Sequence, residues 1–282
     1  MSDADIEELQ ARWGQDLAAW AIPEHILAQA AESPWQYPVR VFTRRADDQL
    51  ASPSGPSYER ALEALPAGGS VLDIGSGAGV ASLPLGERAG RLVAVDPVQA
   101  MLDAYAERAA GLGGGVQLVL GRWPDVGQEI APVDVAVCHH VVYNVAEPLP
   151  FLRAMASVAR QRVVVELTEQ HPMTPLSPLW LRFHGLRRPD KPTADQLREL
   201  ISALAWNVSM ECWSRPMTGF GDFTEMVVQT CRMLCLPPER RSEVEVALLE
   251  LGVDPRNPTG IGSTRRLVTL WWDVDSGLGS RN

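Results

Sequence analysis

The sequence predicts an α/β fold, a doubly wound sheet of mainly parallel strands with a helical cap before it and a helical insertion within it. Three observations predict it. The run Val71-Leu72-Asp73-Ile74 is apolar apart from one acid and breaks at Gly75, Gly77 and Gly79, so it reads as a strand entering a tight loop. After that loop, short apolar runs alternate with helical patterns, as in a parallel sheet covered on both faces. Val163-Val164-Val165 is a continuous β-branched run, suited to a strand buried on both sides.

In chain order, Leu9, Trp13, Leu17 and Trp20 recur every three or four residues, predicting one or two helices between Ile6 and Ala31, with a break near Pro23. The stretch from Ser33 to Pro56 is too rich in proline, serine and arginine to assign. A short helix from Tyr58 to Leu65 stops at Pro66-Ala67-Gly68-Gly69, where the sheet domain begins. Strands are expected near residues 71–74, 92–95, 116–120, 133–138 and 162–167, with a helix after the glycine loop. A helix from Thr193 to Ala205 precedes a strand from Val208 to Trp213, and a last strand runs from Arg266 to Trp272. Between those strands lies a helical insertion at about residues 219–258, in two pieces from Phe223 to Leu236 and Ser242 to Leu251, split by Pro237-Pro238. Residues 1–66 thus form a cap and linker, and residues 67–282 the sheet domain.

A formal net charge of −10 repels phosphate backbones, and no run of lysines or arginines makes a basic stripe, so nucleic acid is not an expected partner. The group Arg182, Arg187, Arg188 and Lys191 reads as a solvated face or an anion site. Four cysteines without a C-x-x-C pair suit a reducing compartment. Cys231 and Cys235, one helical turn apart among apolar neighbours, read as packed helix residues, and no metal site is expected. The acidic N-terminus lacks the regions of a signal peptide, and no apolar stretch is long enough to span a bilayer, so a cytoplasmic protein without a membrane partner is expected.

The glycine loop sets the chemistry. A dinucleotide fingerprint needs its third glycine at the position of Val80, which counts against a nicotinamide or flavin dinucleotide. Asp73 suits a ligand carrying an ammonium group. Leu92-Val93-Ala94-Val95 ends in Asp96-Pro97, and Asp96 lies 17 residues beyond Gly79, near the spacing at which a carboxylate meets a ribose diol. Capping of the following helix by Asp96 is compatible with that role.

Together, VLDIGSGAG, VAVDP and the later CHHVVYNV resemble the class I S-adenosylmethionine-dependent methyltransferases of the small-molecule type, most strongly from Val71 to Thr168. The resemblance implies a Rossmann-like sheet whose last two strands form an antiparallel hairpin at one edge. It implies S-adenosyl-L-methionine as cofactor and a small-molecule acceptor, and a homodimer remains open. The expected cofactor residues are Asp73, Gly75, Ser76, Gly77, Asp96, Pro97, Met101, Arg122, Trp123 and His139. Arg122 departs from the family pattern, which often has an acid for the adenine amino group there, and Trp123 stacks on adenine or packs in the core. His139, His140 and Tyr143 are the catalytic candidates, a histidine near neutral pKa being suited to take the acceptor's proton. Strand alternation predicts that the two histidines point to opposite sides. Glu166, in an apolar strand, is either a functional carboxylate or the partner of an arginine. The cap and the insertion are the expected lid. The rival reading is a non-catalytic protein that binds the same cofactor as a regulator or partner subunit.

Overall fold

The protein is described here by a computed structural model covering residues 2–35, 38–216, 220–262 and 264–274. Four helices precede the sheet: α1 (Asp3–Ala18), α2 (Glu24–Leu27), α3 (Val39–Ala51) and α4 (Pro56–Ala64). Ser2 starts α1 through a reciprocal cap with Asp5, and Pro23 separates α1 from α2 as expected. The segment left unassigned from sequence contains α3, which begins after Pro38. It buries only Ala46 fully, with Val39 and Phe42 partly covered, so its apolar face is too narrow to stand out from its arginines.

The sheet is built from β1 (Gly69–Ile74), β2 (Ala89–Asp96), β3 (Gly115–Leu120), β4 (Val133–His139), β5 (Ala159–Thr168), β6 (Ser209–Pro216) and β7 (Thr264–Asp273). Their order is β3-β2-β1-β4-β5-β7-β6. The first five strands pair in parallel, whereas β7 runs antiparallel between β5 and β6 and forms the expected edge hairpin with β6. Between strands lie α5 (Gln99–Ala109), α6 (Pro148–Val158), α7 (Ser177–His184) and α8 (Ala194–Ala203), the last begun by a Thr193–Gln196 capping box. The insertion supplies α9 (Phe223–Met233) and α10 (Arg241–Glu250); its expected start, residue 219, lies outside the described residues.

Period-two alternation sorts the strands between two cores. Leu72, Ile74, Ala136, Cys138, Val163 and Val165 join a core that includes Trp13 of α1 and Leu197 of α8. Val71, Val135, Val137 and Val164 face the other way, against Ala61, Leu102 and Tyr105. A third apolar cluster joins α9 and α10 to α7 and to Ile22 and Ile26. Cys231 lies in α9, but Cys235 lies beyond it with φ 54°, so the two are not residues of one helix.

No α-helix follows the glycine loop. Residues 76–88 turn through a short 3-10 segment, Leu83–Leu85, held by Leu83 N–H to Gly79 O and Leu85 N–H to Ser82 O. Pro84 removes a helical donor and Gly86 follows, so a regular helix does not propagate. The loop's offer to a ligand is therefore its own backbone and side chains. Among the described residues no helix is long and apolar enough to cross a membrane.

Candidate active site

A cavity of about 600 Å³ opens at the carboxyl ends of the parallel strands. One half is walled by Gly75, Ser76, Gly77, Asp96, Pro97, Met101, Arg122 and Trp123, from the ends of β1, β2 and β3. The other half holds His139, His140, Glu166, Trp213 and Arg215, from β4, β5 and β6. Phe42, Arg45 and Gln49 of α3 and Tyr58 of α4 complete the wall. The lid is thus α3. Among the described residues the insertion, expected to share that role, lines none of the cavity; it braces α3 instead, Glu225 of α9 accepting from Arg40 at 2.7 Å.

The three loop glycines do different things. All have positive φ, at 67°, 52° and 97° for Gly75, Gly77 and Gly79. A Cβ on Gly75 would stand 2.3 Å from Val141 Cγ2, and one on Gly79 2.3 Å from Leu83 Cδ1, so those two glycines serve internal packing. At Gly77 the nearest atom would be Phe42 Cδ1 at 3.7 Å, which leaves this backbone open to the cavity. Gly75 N–H and Ser76 N–H both donate to Val95 O, at 2.8 and 3.0 Å, and fix the loop to β2. Ser76 Oγ is buried in the cavity wall with no hydrogen-bond partner among the described residues.

Asp73, expected either to support the loop or to receive a ligand's ammonium group through water, does not line the cavity, and its contact is with the segment that follows the loop. It shares the Val71 face of β1, is almost wholly buried, and accepts from Ser82 Oγ at 2.6 Å; Ser82 Oγ in turn lies 2.8 Å from Tyr105 Oη. Burial, opposed by the Ser82 bond, pushes its carboxyl up to about 7, and the nearby Asp96 adds to the rise. Asp96 does face the cavity. Its Oδ2 accepts from Gly77 N–H and its Oδ1 from Val98 N–H, both at 2.9 Å. Burial raises the Asp96 carboxyl while those two bonds oppose the rise. The capping expectation is corrected: α5 starts at Gln99 with Val98 before it, and Asp96 clamps the glycine loop to the turn instead.

Trp123 is anchored in the core and also reaches the cavity. Its Nε1–H donates to Phe151 O at 3.1 Å, anchoring one edge in the core, while the ring lines the cavity. Arg122 sits beside it, exposed at the mouth.

His139 and His140 both reach Glu166, contrary to the alternation rule. His140 has φ 61°, so the chain leaves β4 in a left-handed turn and the second imidazole swings back to the side of the first. His140 Nε2 lies 3.0 Å from Glu166 Oε1 and His139 Nδ1 lies 3.9 Å from Glu166 Oε2. Burial lowers His140 to about 4, although its contact with Glu166 works the other way. His139 is lowered as well, chiefly by burial. Burial alone would raise Glu166, but the facing His139 and His140, with Arg215 beyond, hold its carboxyl below the usual range. At neutral pH the cluster is therefore a buried carboxylate between two neutral imidazoles. Arg215 and α3 are the site features that the sequence did not assign; Glu166 stands out there as an acid in an apolar strand, and among the described residues the groups within ion-pair distance of it are the two histidines.

Tyr143 is not brought to this cluster. It is buried outside the cavity, its hydroxyl donates to Thr168 O at 2.8 Å, and its ring stacks on Trp13 at 5.7 Å. This corrects its assignment as a catalytic candidate. Asn144 donates to Val141 O at 3.2 Å and closes the turn. Glu169 pairs with Arg266 at 2.8 Å and His171 stacks on Trp20 at 3.9 Å; among the described residues no group of side chains is arranged to hold a metal. In the basic group, Arg182 pairs with Glu250, and Arg188 lies between the rings of Trp20 and Trp180.

Residues 71–162 match the family model described as methyltransferase domain. These residues form a methyltransferase domain. Its fold recurs in solved structures at low identity. A Bacillus halodurans C-125 protein assigned as a methyltransferase has 12% identity, covering 80% of this chain and 98% of its own, with a TM-score of 0.54. The YcgJ protein from Bacillus subtilis has 14% identity, covering 83% of this chain and 99% of its own, at 0.53. A cyclopropane-fatty-acyl-phospholipid synthase-like protein from Lactobacillus casei ATCC 334 has 18% identity, covering 89% and 98%, at 0.51. No curated protein matches the chain. β4 ends at His139 with His140 next to it, and Glu166 lies in β5 shortly before its end at Thr168; all three line the cavity.

Proposed function

We propose that this methyltransferase moves a methyl group from S-adenosyl-L-methionine to a small-molecule acceptor by in-line displacement. The observation that carries the reading is one cavity joining the loop of Gly77, Ser76 and Asp96 to the His139–His140–Glu166 cluster. Its volume of about 600 Å³ falls in the range of small-ligand pockets, and an acceptor must be small to share it with a cofactor.

The residues present fit the cofactor. Gly77 leaves its backbone open, Ser76 Oγ is a buried polar atom awaiting a partner, and each Asp96 oxygen retains a lone pair beyond its one backbone bond. Asp96 would hold the ribose hydroxyls, Pro97 and Met101 would flank the adenine with Trp123 and Arg122 beside it, and Arg45 would face the methionine carboxylate. The bound sulfonium supplies an activated methyl group, so the protein's tasks are alignment and exclusion of water. Neutral His140 directs its Nε2–H at Glu166 Oε1, 3.0 Å away, so the lone pair that takes the acceptor's proton is the one on Nδ1, and Glu166 stabilises the imidazolium that forms. His139 lies beside it, with Nδ1 3.9 Å from Glu166 Oε2. A protein that only bound the cofactor would have no use for a buried carboxylate between two imidazoles, which favours catalysis over a regulatory role. In this reading residues 1–66 supply the lid and residues 67–282 the catalytic domain with its insertion. Val80, at the cavity wall where a dinucleotide loop needs glycine, counts against a nicotinamide enzyme.

Calorimetric titration with S-adenosylhomocysteine, and with NADH as control, tests the reading. Binding of the first alone is expected; binding of NADH alone would replace it with a dinucleotide enzyme.

A further inference from the structure

The register of β6 on β7 sets Arg215 directly opposite Arg265 at the carboxyl end of the sheet. Residues directly opposite across an antiparallel pair share one face of the sheet, so the two guanidinium groups lie on the same side. Among the described residues Arg215 has no carboxylate within ion-pair distance; its neighbour is the ring of Trp213, 6.0 Å from the guanidinium carbon. Arg215 lines the cavity, and β6 is the edge strand at the end of the sheet opposite β3, away from the glycine loop. Both guanidinium charges are felt at His140, which places them beside the cluster proposed to handle the acceptor's proton. Trp213 and Tyr58 add aromatic surface to the same wall. Arg215 at the cavity wall, with Arg265 opposite it on β7, is a local concentration of positive charge in a chain whose net charge is −10.

We infer that the acceptor carries an anionic group, a carboxylate or a phosphate, seated on Arg215 and reinforced by Arg265, while its nucleophilic atom faces His140. The inference rests on the methyltransferase reading. Glu166 repels an anion, so the charged group lies toward β6 and the end bearing the transferable proton toward the imidazole. This arrangement orients the acceptor by charge: anion at one end, nucleophile at the other. A guanidinium gives a carboxylate or phosphate two parallel hydrogen bonds, which fixes direction as well as affinity.

The test uses the full chain saturated with S-adenosylhomocysteine, titrated with hydroxybenzoates, hydroxycinnamates and hydroxynaphthoates, with their neutral amides, and with the matching aryl phosphates. At least one acid or phosphate is expected to bind about tenfold or more tighter than its amide or neutral parent, the stronger of the two anions identifying the group. Arg215→Gln is expected to erase that preference while keeping the affinity for S-adenosylhomocysteine, and Arg265→Gln to reduce it. Equal binding of acids and amides, or no binding of any probe to the loaded protein, overturns the inference and leaves the methyltransferase reading intact. A loss of S-adenosylhomocysteine affinity in Arg215→Gln also overturns it, because Arg215 would then belong to the cofactor half. Failure of the wild-type protein to bind S-adenosylhomocysteine defeats the reading beneath it.

Discussion

Replacing Asp73 with asparagine should stabilise this protein at alkaline pH without harming cofactor binding. The carboxyl sits almost wholly buried on the core face of β1, with Ser82 Oγ at 2.6 Å as its neighbour, and burial lifts it from 3.8 to about 7. Between those values the unfolded chain has lost a proton that the folded chain keeps. Stability therefore falls as pH rises through this window and is flat above it. The span corresponds to roughly 4 kcal/mol of folding free energy lost between pH 4 and pH 8. The substituted amide would keep an acceptor for Ser82 but not a charge, giving up about 1 kcal/mol of hydrogen-bond strength. The net gain for Asp73→Asn at pH 8 is then roughly 3 kcal/mol, or on the order of 5–10 °C in Tm for a domain of this size. Thermal unfolding of both proteins from pH 5 to 8.5 measures it: the variant should lead at pH 8, and the lead should shrink toward pH 5. Equal pH slopes, or a variant that melts lower at pH 8, would refute the burial argument, and a large loss of S-adenosylhomocysteine affinity would return Asp73 to the ligand.

Asp96→Ala leaves the Gly77 and Val98 N–H groups without their acceptor and removes the proposed ribose contact; calorimetry should show S-adenosylhomocysteine affinity weakened by about 1–3 kcal/mol, and an unchanged affinity would contradict the assignment. His140→Ala should lower kcat by roughly 10²–10⁴-fold with the KM for S-adenosylmethionine preserved. Because burial holds His140 at about 4, the base stays neutral down to that value, so the rate of methyl transfer should be flat above pH 5 and fall only as pH drops through 4; a fall near pH 6.5 would mean an exposed histidine does the work. Tyr143→Phe removes the bond to Thr168 O and should cost about 1 kcal/mol in an unfolding titration, with turnover unchanged.

Much of the fold was legible because a parallel strand buried on both faces must be a short apolar run, as Val163-Val164-Val165 is, and because glycines and prolines mark where such runs stop. The half of the cavity proposed for the cofactor was legible for the same reason: strand ends define the crevice, and Gly77, Asp96 and Met101, which line it, stand at or just beyond them. Three features were hidden. The lid helix α3 buries only Ala46 fully and lies in a stretch rich in proline, serine and arginine, a composition that masked its helical periodicity. The convergence of the two histidines depends on the left-handed backbone of His140, a conformation that residue type alone does not dictate. The direction of Asp73 was available from alternation, since Val71 shares its face, but the motif's usual association with a ligand obscured it. Arg215 stands opposite Arg265 only because of strand register, which emerges from the packed hairpin.

The most direct test incubates the purified protein with methyl-labelled S-adenosylmethionine and a cell extract, then separates small molecules from macromolecules and follows the label. Label entering a small-molecule product in the filtrate, and lost in both the Asp96→Ala and His140→Ala proteins, is the result expected of a small-molecule methyltransferase using this cavity. Label confined to protein or nucleic acid, or undiminished in those two variants, would contradict it.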